Sequence, residues 1–220
     1  AYWDFGGFWR KSVEFNQMMD RSVKEAMDNL WFSLNYSEYS YLPEWFIYLP
    51  TQLLGSSYPR FILAMFNSFV LPANLILYIF SLMVLGDKQS MLKKAFMGLF
   101  ITTFAGNLYS MVFGYIGSAG LPFITSILLL VYAGGLDTFD WKNNVFIGIS
   151  MIILLLVRRW FAYWIVGFYI AYTLAYLIKE RSAHSLTKSK IKVQFLNMLV
   201  CGIIPLTILL TLFFPLFKTI

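Results

Sequence analysis

Residues 60–85 read RFILAMFNSFVLPANLILYIFSLMVL, a run whose one charge, Arg60, stands at its start. A helix needs about 20 predominantly apolar residues to cross a bilayer, because its backbone N–H and C=O groups must be satisfied within the segment. This run is long enough. Further apolar runs occupy 95–113, 115–134, 145–157, 161–178 and 196–217. The run from Val145 to Val157, about 13 residues, is short for a crossing, and glycines and Pro122 interrupt the run before it. Hydrophobic residues form 59% of the chain and charged ones 13%. Soluble domains run near 45–50% and 25%. The mean hydropathy is +0.67. These features predict an all-α integral membrane protein, a polytopic helical bundle of six apolar segments.

The polar stretches between the runs predict an orientation. Lys179, Arg181, Lys188, Lys190 and Lys192 crowd residues 179–192, which the positive-inside rule places in the cytoplasm. Counting spans backwards puts Lys88, Lys93 and Lys94 on that side too, and residues 1–57 outside. Arg158 and Arg159 break the pattern, because they fall at the outer face. The net charge of +6 therefore reflects topology rather than nucleic acid. One cysteine, Cys201, rules out a disulfide within the chain and a cysteine metal site. One histidine, His184, leaves little for a His-cluster site. Asp137 and Asp140 lie on the inner side and read as turn and helix-start residues.

Residues 1–57 are mixed in character and separate from the bundle of 58–220. Phe15, Met18, Met19, Val23, Ala26, Met27, Leu30, Trp31 and Leu34 recur at helical spacing, with Asp20, Arg21, Lys24, Glu25 and Asp28 off the stripe. The spacing predicts one amphipathic helix lying at the membrane surface. Pro43 and Pro50 frame a piece too short to span, read as interfacial or re-entrant. The chain begins at Ala1 with no apolar leader, so a fragment without its first span is expected.

Two groups of residues point to chemistry. Asp4 lies among Tyr2, Trp3, Phe5, Phe8 and Trp9, with Gly6 and Gly7 beside it. It reads either as an ordinary residue of an aromatic belt or as a general base for a hydroxyl, with aromatic faces for a sugar ring. Arg158 and Arg159 read either as snorkelling cations or as a phosphate clamp, since guanidinium presents a planar fork to phosphate oxygens. Arg10 and Lys11 could join them from the first loop.

YWDFGGFWRKSVEFNQMM (2–19) and LNYSEYSYLPEWFIYLPTQLLGSSYPRF (34–61) together resemble the first outer loop of GT-C fold glycosyltransferases. LLLVRRWFAYWIVGFYIAYTLAYLI (154–178) and GIIPLTILLTLFFPLF (202–217) resemble the central spans of the bacterial members. The resemblance implies an extracytoplasmic first loop with interfacial helices, ahead of a GT-C-like bundle in the plasma membrane. It implies inverting transfer of a sugar from a polyprenyl-phosphate donor to an extracytoplasmic hydroxyl on a glycan, lipid-linked saccharide or protein. Asp4 would then be the base, with Glu38 as a second carboxylate and Glu44 as its alternate. Arg158, Arg159, Arg10 and Lys11 would hold the donor phosphate. The two carboxylates would either orient the acceptor or hold a divalent metal through their oxygens, since members of the fold differ in needing one. FGYIGSAG (113–120) departs from the family, with Gly117 and Ser118 where an acidic or polar residue is common. The competing reading is a transporter or lipid-glycan flippase, which would want ionisable groups at mid-membrane and broken helices in repeated halves.

Overall fold

The structure is a computed structural model that describes residues 3–37, 39–55, 57–86, 90–103, 116–134, 139–182 and 187–212. Those residues are helical, apart from short links and one isolated bridge between Tyr39 and Arg158. Tyr58–Met65 (α4) runs through a π-helical turn, Phe66–Val70, into Leu71–Leu85 (α5). The turn has a cause: the ring of Pro72 would clash with the carbonyl four residues back, and one widened turn relieves it. Met91–Thr103 (α6) follows; the rest of the predicted 95–113 span lies outside the described residues. A 3₁₀ turn, Ile116–Gly120, leads into Leu121–Gly134 (α7). Trp141–Val157 (α8), Phe161–Ser182 (α9) and Lys188–Leu212 (α10) complete the order. Among the described residues, three helices are long and apolar enough to cross a membrane: Tyr58–Leu85, Phe161–Ile178 and Ser189–Leu212.

Side-chain pairings fix the directions. Asn144 on α8 meets Asn197 on α10, and Leu155 and Leu156 meet Ile208 and Leu209, so α8 and α10 run parallel. Tyr169 on α9 donates to Met151 on α8 at 3.4 Å, and Thr173 to Met198 on α10 at 3.3 Å, as a helix returning between them requires. Likewise Tyr132 on α7 donates to the Met83 carbonyl on α5 at 3.4 Å, while Phe123 lies near Phe46 and Phe69 at the other end. The elements alternate, as the count of spans predicts. α8 starts one turn early, at Trp141, because Asp140 caps it by accepting from the N–H groups of Lys142 (3.0 Å) and Asn143 (3.3 Å). Ser118, Ala119 and Gly120 are buried at the Arg158 end. A β-carbon on Gly120 would stand 2.2 Å from the Phe161 ring, so this turn is a packing element.

The predicted surface helix is two helices, Trp3–Arg21 (α1) and Val23–Tyr36 (α2). Ser22 breaks it: its backbone is extended and its hydroxyl accepts from the Glu25 N–H at 3.3 Å. Ser22–Val23–Lys24–Glu25 has the S-x-x-E spacing of a capping box, a signal present in the sequence. The stripe is also less exposed than expected. Phe15, Met18, Ala26, Leu30 and Leu34 are buried against Leu209, with Leu155 and Leu156 beside them; Val23 and Trp31 stay exposed. Leu42–Leu54 (α3) holds Pro43 in its first turn and Pro50 inside, and packs on α1, α4 and α8. Phe8, Ile47, Phe61, Met65, Phe69 and Val157 form the core that joins α1 and α3 to the bundle.

Candidate functional site

Lys11, Arg158 and Arg159, three of the residues the sequence singled out, lie where α8 ends. Val157 closes α8, and Arg158 turns extended, with φ −158° and ψ 128°. An extended residue can pair with a second extended strand, and Arg158 bridges Tyr39. Its Nη2 donates to the Tyr39 hydroxyl at 3.0 Å, and its guanidinium lies 5.0 Å from that ring's centroid. Phe8 meets the same ring edge-on at 5.6 Å. Arg159 is buried, and its Nη2 donates to the Asn35 carbonyl at 3.4 Å, in the last turn of α2 where the helix dipole is negative.

Residues 39–41 therefore form a strap between α2 and α3. Ser40 fastens it twice: its hydroxyl donates to the Leu156 carbonyl at 2.5 Å and accepts from the Leu42 N–H at 3.3 Å. The Tyr41 N–H donates to Ser33 Oγ at 2.9 Å. Lys11 holds it from α1. Its Nζ donates to the carbonyls of Tyr39 and Ser40, the latter at 3.0 Å, and lies 4.5 Å from the Tyr41 ring centroid. Burial holds the Lys11 ammonium below the ordinary lysine range, against the pull of Glu44 and Glu14.

Glu44 stands three residues beyond Tyr41, in the first turn of α3. It is 1% exposed, and neither carboxyl oxygen makes a hydrogen bond. Burial raises its pKa to about 7; Lys11 opposes the rise, and the residue's own backbone N–H opposes it less. Its neighbour Tyr41 is pushed up as well, first by burial and then by Glu14 and Glu44.

The predicted set divides. Lys11, Arg158 and Arg159 come together on one strap and its flanks. Arg10 is exposed. Asp4 lies in the first turn of α1, two turns or about 10 Å before Lys11, and its side chain falls outside the described part. Glu38 lies outside the described residues, as do His184 and Asp137. The described residues contain no group of three His, Cys, Asp or Glu able to hold a metal. Sequence reasoning missed Tyr39, Ser40 and Tyr41; their signal was the crowding of hydroxyl and aromatic residues between two helices. It also missed Asn144, just before one apolar run, and Asn197, within another; they pair at 2.7 Å, with Cys201 donating to Asn144 at 3.3 Å.

Comparison with known proteins gives no match to a family model, to a curated protein or to a solved structure.

Proposed function

We propose that the chain is part of a GT-C type membrane glycosyltransferase that moves a sugar from a polyprenyl phosphate to a hydroxyl acceptor at the Arg158 end of the bundle, outside the cell. The observation that carries this reading is the convergence of Lys11 and Arg158, from opposite ends of the sequence, on one aromatic-lined strap where the apolar helices end. Lys11 holds neutral carbonyl oxygens there. A phosphate oxygen is a stronger acceptor, because it carries negative charge that pairs with the ammonium. The polyprenyl tail would lie along the exposed apolar faces of the helices, and the aromatic side chains would stack on the sugar.

In the proposed step the acceptor oxygen attacks the anomeric carbon on the face opposite the phosphate. As the new C–O bond forms, the bond from the anomeric carbon to the phosphate oxygen breaks, and its electron pair leaves with the polyprenyl phosphate. The acceptor's proton passes to Asp4, and the anomeric configuration inverts. Arg158 and Lys11 stabilise the charge that grows on the leaving phosphate.

Membranes bearing the full-length protein, supplied with radiolabelled polyprenyl-phosphate hexoses, test the reading. Arg158→Ala should lower kcat/KM by about 100-fold, and Arg158→Lys by about 10-fold, since lysine keeps the charge and loses the fork. Donor turnover unaffected by Arg158→Ala would contradict it.

A further inference from the structure

Glu44 is buried, Lys11 is part-buried, and no ion pair joins them, although the charge of each bears on the other. The ammonium lies on the carbonyls of Tyr39 and Ser40 instead. The carboxyl, 1% exposed, has no hydrogen bond at either oxygen. A buried carboxylate without a donor is costly, whereas a neutral carboxyl is much less so. The observed arrangement thus suits a protonated Glu44. An ionised Glu44 needs a donor, and Lys11 is the part-buried cation whose charge acts on it.

We propose that Glu44 and Lys11 form a proton-operated latch on the 39–41 strap. With the Glu44 carboxyl protonated, Lys11 stays on the strap carbonyls and the strap is closed over Arg158. When the proton leaves Glu44 for solvent, Lys11 Nζ moves to the carboxylate, the Tyr39 and Ser40 carbonyls lose their donor, and the strap loosens. The latch rests on the hold of Lys11 on the strap carbonyls and on the buried, unbonded carboxyl of Glu44, and not on the transferase reading. Its consequence for any anion bound at Arg158 is that deprotonation uncovers the guanidinium while withdrawing Lys11.

The surroundings contain no better partner for the ionised carboxylate. Charged and titratable groups on the elements packed against α3 are Asp4, Arg10, Lys11, Glu14, Asp20 and Arg21 on α1, Tyr58 and Arg60 on α4 and Lys142 on α8, with Tyr39 and Tyr41 on the strap and Arg158 and Arg159 beyond α8; Arg21 and Lys142 are exposed. The π-helical turn brings none. Arg10 and Arg60 are exposed, Arg158 is engaged with Tyr39, and Arg159 reaches back to α2. The burial of Glu44 is what tunes the transition towards neutral pH; its pKa is about 7.

Hydrogen–deuterium exchange of the full-length protein in lipid nanodiscs tests the latch, with the amides of Tyr41 and Leu42 as reporters. Wild type and Glu44→Gln are compared at matched pH, so that intrinsic exchange cancels. At about pH 8.5 the wild-type amides should exchange at least about 10-fold faster than those of Glu44→Gln, and at about pH 5.5 the two should agree. Lys11→Gln should exchange fast at both values. Equal rates in wild type and Glu44→Gln at the higher pH would overturn the proposal. Should Glu44→Gln fail to fold, the carboxyl stretch of wild type labelled with ¹³C-glutamate decides. A protonated band that disappears in step with strap exchange as pH rises supports the latch, and the absence of any such band overturns it.

Discussion

Glu44 shows how one residue can shape stability without a single hydrogen bond. Its folded pKa of about 7 lies above the ordinary glutamate value of 4.5. The folded chain therefore holds the proton more tightly than the unfolded one. Its contribution is fully present below pH 4.5, declines as pH rises, and is lost through about pH 7. Glu44→Gln should match wild type in chemical denaturation at low pH and exceed it by about 3 kcal/mol above pH 8. Wild type and variant giving the same pH profile would contradict this. At this scale the sequence was partly readable. Arg158 and Arg159 stood out as charges that the expected topology disfavours, and the structure anchors them to Tyr39 and to Asn35. The depth of Glu44 was not readable, because a carboxylate beside a proline at a helix start is ordinarily a solvent-exposed first-turn residue. Only the packing of α1 and α8 around it closes it off.

Helix boundaries and contacts argue the same way at the next scale. The break between α1 and α2 rests on the Ser22 cap, so Ser22→Ala should cost about 1 kcal/mol in denaturation experiments. The link between α8 and α10 rests on the Asn144–Asn197 bond. Asn197→Ala should cost about 1 kcal/mol, near the usual worth of a hydrogen bond between helices in a membrane. No change in midpoint for either variant would show that packing alone holds these elements. Hydrophobic runs revealed where the long helices lie, because length and apolarity are properties of one segment. The burial of the Phe15–Leu34 stripe escaped that reading. An amphipathic face looks the same whether lipid or protein covers it, and here part of the cover comes from Leu209, far along the chain.

At the scale of the molecule, the alternation of helix directions places α1, α3 and Arg158 at one end and the start of α10, with Lys190 and Lys192, at the other. The proposed topology puts the first end outside the cell. In a Cys201→Ala background, a cysteine at the exposed Ser57 should react with a membrane-impermeant maleimide on intact cells, and one at the exposed Ser189 only after permeabilisation. The reverse pattern would turn the site inward and away from an external acceptor. Composition made the all-helical architecture readable. The meeting of residues 11, 39 and 158 depends on long-range packing, which no local pattern encodes. The transferase account turns on Asp4, and the decisive measurement is consumption of radiolabelled polyprenyl-phosphate hexose by membranes bearing full-length wild type or Asp4→Asn at matched expression. The account predicts that the variant still binds donor and loses at least about 100-fold in turnover. Equal turnover in both would remove Asp4 from the chemistry and contradict the account.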